Sequence, residues 1–192
     1  MNLFSLRNFS LISNQSITTL GNFLFLSLSS IFLELTDFFK LSIFISVYIV
    51  SVVIIFHIFF YQLNFLDGNE ANKFFISRYH SLLLFLLFIL ILGSLIGYAI
   101  ESFLCSAFIV IEIYRRNLTQ LKKIRESILF GACFQLLRLS VLIIFKPHIL
   151  FELYVMLSIL TIPFLIIVIF NMFKNGLIKY QVIYTKDDYY IL

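Results

Sequence analysis

Arg138 is the one charged side chain in an otherwise apolar run, 127–145, and it sets the chemistry this chain could perform. A guanidinium stays ionised at any working pH. Holding one inside a membrane span costs between ~3 and ~15 kcal/mol, depending on snorkelling and local water. Three arrangements offset that cost: a pair with Glu152 beyond the next turn, contact with an anionic group in a polar cavity, or snorkelling to the near surface. The first two are compatible, because a paired arginine still lines a pocket. Eight residues, about 12 Å of helical rise, separate Arg138 from Lys146, which places it in the outer half of a membrane. Ser127, Gly131, Gln135 and Arg138 follow one another at spacings of four, four and three, and so share one helical face.

Polar residues recur at helical spacing elsewhere. Gln15, Thr19, Asn22 and Ser29 form one row, and Ser42, Ser46 and His57 form another. In a membrane bundle such rows are expected to face the interior. Glu112 precedes Arg115 and Arg116 by three and four residues, ordinary pairing distance on one face. The dense run of Arg115, Arg116, Lys122, Lys123 and Arg125 suits an anchor on an anionic inner leaflet, with a lipid-linked phosphate as its other candidate partner. Gly93 and Gly97 fit either a small-residue helix contact or a loosened turn.

Catalytic groupings are missing from the pattern. His57, His80 and His148 lack metal-ligand spacing, and neither a nucleophile–base arrangement nor a phosphate-cradling glycine loop occurs. The expectation is therefore no enzyme, no metal and no cofactor. Cys105 and Cys133 sit in apolar runs and read as small core residues. Asn8, Asn14 and Asn117 open glycosylation tripeptides, but at or near the expected inner face.

The elements that carry these residues must be membrane spans. Of 192 residues 61% are hydrophobic and 12% are charged, against about 25% charged in a soluble domain. Fourteen basic and ten acidic side chains cannot clothe a water-facing surface, which excludes a soluble enzyme, a disordered tail and a disulfide scaffold. The net charge of +4 reads as orientation in a bilayer, with no nucleic-acid partner.

A span needs about 20 mainly apolar residues. Stretches 41–66, 79–100 and 153–173 hold no Asp, Glu, Lys or Arg. The stretch 79–114 would make roughly 54 Å of helix, too long for one ordinary span, and its middle suggests a hairpin turning near 97–101. The expected fold is all-α: a polytopic integral membrane protein of about six spans, at 17–36, 40–63, 79–97, 101–115, 124–145 and 149–172, with residues 173–192 as a short cytoplasmic tail. With both termini inside, eleven basic residues fall on the inner side and only Lys40 and Lys146 on the outer. Fusing the third and fourth spans lowers that bias, so six is preferred over five. The first twenty residues do not resemble a secretory signal, and a multi-pass chain of the cell's inner membrane is expected.

The order of these features resembles the amino-terminal half of polysaccharide flippases, the O-antigen type transporters of the multidrug/oligosaccharidyl-lipid/polysaccharide exporter superfamily. The matching stretches are Asn14-Gln15-Ser16-Ile17-Thr18-Thr19-Leu20-Gly21-Asn22-Phe23 and then Leu35-Thr36-Asp37-Phe38-Phe39. Farther on, Glu112-Ile113-Tyr114-Arg115-Arg116 with Lys122-Lys123-Ile124-Arg125 looks like that family's basic inner connection. Phe39 departs from the family, which often has Gly there, and the basic residue often found late in its first span is missing. The family has twelve or more spans in two lobes, so six spans would correspond to one lobe: a split product, a truncated relic, or a half-transporter that pairs with a second lobe or copy. The resemblance implies alternating access and translocation of a lipid-linked oligosaccharide or polysaccharide precursor. On that reading Arg138 is the cationic contact in the cavity, with Gln135, Asn22 and Gln15 as sugar-facing groups.

Two other classes compete. A non-transporting membrane protein, such as a toxin-immunity protein or a structural subunit, needs no cavity and makes Arg138 an internal brace paired with Glu152. An intramembrane transferase would need acidic or histidine groups clustered at one membrane face, which Glu112 alone does not provide.

Overall fold

The computed structural model describes residues 6–60, 68–120 and 123–174. They form six α-helices: α1 (Leu6–Phe32), α2 (Leu35–Phe60), α3 (Gly68–Leu95), α4 (Ala99–Gln120), α5 (Ile124–Phe145) and α6 (Leu150–Lys174). No strand occurs among the described residues. Each helix overlaps one expected span, although the turn between α1 and α2, at 33–34, falls inside the expected first span, 17–36. α1 and α3 start about ten residues earlier than expected, and α4 runs on to Gln120, because apolarity limits a span whereas backbone hydrogen bonding carries a helix past it. α2, α5 and α6 are long and apolar enough to cross a membrane, and α1 and α3 hold the shorter apolar helical stretches Ser16–Phe32 and Ser81–Leu95. The chain is a small all-helical polytopic membrane protein.

α4 has a different place. Every residue from 107 to 115 is buried, a run of more than two turns that covers all sides of the helix. Only a helix enclosed by others does this, and α2, α3, α5 and α6 all pack on α4. The middle of the bundle is thus filled by α4, which corrects the expectation that polar rows line a hollow among six rods. Phe108 on α4 meets Tyr48 of α2 and Phe134 of α5 edge-on, with ring centres 5.5 and 5.4 Å apart. Phe134 in turn meets Phe164 of α6 at 5.0 Å, and each such pair adds ~0.5–1.5 kcal/mol beyond burial. The outer faces carry exposed apolar residues such as Ile43, Leu84, Ile144 and Phe170, as a lipid-facing surface requires.

Tight turns join α1 to α2, α3 to α4 and α5 to α6. At the end of α3, Tyr98 N donates to Gly93 O at 2.7 Å and Gly97 N to Ser94 O at 3.3 Å, a left-handed helix stop with Gly97 at φ 92°. Gly93 lets α3 and α4 touch, since a Cβ there would overlap Ser102 Oγ. The two glycines therefore fill both proposed roles, Gly93 the helix contact and Gly97 the turn. At another end, Leu150 N donates to Asp37 Oδ2 at 2.9 Å, so a carboxylate from α2 caps α6. That bond brings the α1–α2 and α5–α6 turns together. α6 runs unbroken through Pro163.

The second expected polar row does not face inward. Ser42 and Ser46 donate to carbonyls four residues back on α2, at 2.9 and 2.8 Å, and Ser46 and His57 are exposed. A hydroxyl that bonds its own helix needs no interior partner. Cys133 is exposed as well, so only Cys105 is partly enclosed.

Candidate functional site around Arg138

The polar face read on the fifth span is an interior face throughout. Ser127, Gly131, Gln135 and Arg138 are all buried on α5. α1 packs chiefly on this helix. Gly21 permits the approach, because a Cβ there would stand 2.5 Å from Gln135 Cδ. Asn22 and Phe25, one turn apart on α1, then face Arg138.

Arg138 has 1% of its surface exposed. Its Nη1 donates to Asn22 Oδ1 at 2.9 Å and to Gln135 Oε1 at 3.0 Å. Rings of Phe25, Phe108 and Phe134 surround the guanidinium carbon, with centres at 4.4, 5.0 and 5.8 Å. Each desolvated contact of this kind contributes up to ~2 kcal/mol, which replaces part of the lost hydration. Nε and Nη2 are buried and bond to no acceptor among the described residues. Among the same residues no carboxylate pairs with Arg138.

The expected bridge to Glu152 is corrected by this geometry. Glu152 is exposed in the first turn of α6, while Arg138 turns toward α1 and α4, two turns inside the end of α5. Gln15 lies in α1, and its side chain falls outside the described residues. The structure therefore joins Arg138, Gln135 and Asn22 of the four candidate binding residues.

A second polar cluster lies where α4 meets α5. Arg115 Nε and Nη2 donate to Glu112 Oε2 and Oε1 at 2.9 and 2.7 Å, and Arg116 Nε reaches Oε1 at 3.1 Å. The Arg116 guanidinium also lies 4.8 Å from the Phe56 ring centre. Ser127 Oγ donates to the Arg115 carbonyl at 2.8 Å and lies 2.9 Å from Thr119 Oγ1, which ties the two helices. Gly131 accommodates Arg115, whose Cδ would be 2.8 Å from a Cβ at that position. Arg115, at 3% exposure, is thus a buried ion-pair partner and not a surface anchor. Arg116 is half-buried in the same pair, Lys122 lies outside the described residues, and Lys123 and Arg125 remain exposed. Asn117 is buried, which removes it as a glycosylation acceptor in the folded chain.

Sequence reading missed the aromatic cage and Gly21. Phe25 carries a signal, since it stands three residues after Asn22 and four before Ser29. Phe108 carries none, because the short run that holds it, 107–111, is apolar throughout.

No protein-family model, curated protein or solved structure matches this chain. Fold and site alone define the class: an all-helical membrane protein with a caged arginine in its interior. Among the described residues no cluster of His, Cys, Asp and Glu could hold a metal.

Proposed function

We propose that this bundle is one lobe of a transporter that moves a lipid-linked oligosaccharide or polysaccharide precursor across the cytoplasmic membrane. It acts with a second lobe or a second copy, with both termini and the exposed Lys123 and Arg125 on the cytoplasmic side. One observation carries the reading. The bundle holds two buried arginines of opposite design, Arg115 on a carboxylate and Arg138 on none among the described residues. An arginine kept for structure alone does better with a carboxylate, as Arg115 shows, because an uncompensated ion in a span costs several kcal/mol, roughly 3 or more. Arg138 is suited to an anion brought by the cargo. Since α4 fills the middle of the bundle, the cargo passes between this lobe and its partner, with the lipid tail remaining in the bilayer.

The test is surface-glycan export in cells that depend on this chain. Arg138→Ala should lower export by about ten- to a hundredfold, the worth of one charge-assisted contact, with membrane insertion unchanged. Export at the wild-type level would falsify the assignment.

The second reading is a non-transporting protein, of the toxin-immunity or structural-subunit kind. The cage favours it, because two amides and three rings hold Arg138 without cargo. In that case the triple replacement Asn22→Leu, Gln135→Leu and Arg138→Met keeps the activity, whereas a transporter loses it.

A further inference from the structure

The two donors that Arg138 leaves unspent lie on one edge. In a planar guanidinium the Nε–H and one Nη2–H point the same way, spaced to meet two oxygens of a single carboxylate or phosphate. This chain already uses that edge once. Arg115 sets Nε on Glu112 Oε2 at 2.9 Å and Nη2 on Oε1 at 2.7 Å, side-on and bidentate. At Arg138 the same two atoms are buried and meet no acceptor among the described residues. The group is also held in place. Nη1 is fixed by Asn22 and Gln135 from two helices, and Phe25 and Phe108 crowd the guanidinium carbon at 4.4 and 5.0 Å. Asn22 and Gln135 each direct an amide oxygen at Nη1, so neither serves the free edge.

We propose that the Nε–Nη2 edge of Arg138 is an oxyanion fork that binds, side-on, one group with two in-plane oxygens on an amphiphile whose tail stays in lipid. The proposal rests on the transport reading, and it names what the cargo offers to Arg138: a phosphate or a carboxylate, bound by geometry as well as charge. A single negative charge balances the one interior cation that has no acidic partner among the described residues. At 1% exposure the fork opens to a ligand only when one wall of the cage shifts. α1 is such a wall, since it closes the site with Asn22 and Phe25 and packs chiefly on α5. Lysine at this position keeps the charge but loses the fork, so the two side chains separate shape from charge.

The test uses the full chain purified in a neutral maltoside detergent, with binding read from the shift of its thermal unfolding midpoint. The probes are dodecyl phosphate, dodecanoate and the uncharged dimethyl ester of dodecyl phosphate. Wild-type protein should bind at least one of the two anions saturably and ignore the ester. Arg138→Lys should weaken that binding by about tenfold or more. Preference for dodecyl phosphate makes the cargo group a phosphate, preference for dodecanoate makes it a carboxylate, and either supports the fork. Should Arg138→Lys fail to fold, the triple variant Asn22→Leu, Gln135→Leu, Arg138→Met takes its place, and undiminished anion binding by it overturns the fork. Equal binding of ester and anions overturns the fork, as does undiminished binding by a folded Arg138→Lys. Export by Arg138→Ala is measured separately, so the fork can fall while the transport role stands, and the reverse.

Discussion

Arg115 and Arg138 differ in how their burial is offset, and mutation should separate them. Glu112→Gln leaves Arg115 buried without its counter-ion, and breaking a buried pair from one side costs ~3–5 kcal/mol. The unfolding midpoint of the detergent-solubilised protein should therefore fall sharply. The triple variant Asn22→Leu, Gln135→Leu, Arg138→Met removes every polar partner at the other site together. Replacing a buried polar set by apolar groups of similar volume is neutral or stabilising by ~1–4 kcal/mol, so its midpoint should hold or rise while export is lost. A triple variant that holds its midpoint and also keeps its activity would make Arg138 an internal brace. At this scale much was legible. The spacing of Ser127, Gly131, Gln135 and Arg138 marks one face, and the pairing of Glu112 with Arg115 and Arg116 follows from separations of three and four. Which anion Arg138 lacks was not legible, because Glu152 and Arg138 are close in sequence and point apart in space.

Helix contact in this bundle depends on absent side chains as much as on present ones. α5 meets α1 over Gly21 and α4 over Gly131, and the two contacts differ in what a methyl group would strike. At Gly131 it would stand 2.8 Å from Arg115 Cδ, the stem of a guanidinium already fixed by two bonds to Glu112. Gly131→Ala should cost ~1–3 kcal/mol through overpacking, measured as a lower unfolding midpoint. An unchanged midpoint would mean that Arg115 has room to shift. The number and order of the helices could be read from charge-poor stretches, since each span must satisfy its own backbone within lipid, whereas the extensions of α1, α3 and α4 beyond those stretches could not. The polar row on α2 misled, because Ser42 and Ser46 satisfy themselves on their own helix and need no interior.

The six helices form an object in which the most polar helix is the innermost. α4 carries Glu112, Arg115, Arg116 and Asn117, and its neighbours bury all of these but Arg116, which is half-buried. The arrangement predicts a topology that can be tested in intact cells. The α1–α2 and α5–α6 turns share an end, joined by the Asp37 cap on α6, so cysteines placed at Lys40 and Lys146 should label from the same side. Lys123, between α4 and α5, should label only from the other side, after the membrane is opened. Labelling of a cysteine at 123 from outside an intact cell would invert the proposed orientation, and with it the inner-face role of Lys123 and Arg125.

Sequence alone determined the membrane class, the number of helices, the hairpin near Gly97 and the buried face of α5. These are local properties, set by composition and by spacings of three and four residues along one helix. Tertiary structure decided that α4 fills the middle, that Arg115 is sealed from the surface, and that Arg138 meets Asn22, 116 residues away, instead of Glu152. Such contacts depend on which helix packs against which, a choice made by many weak apolar contacts summed across the bundle and written in no single stretch of it.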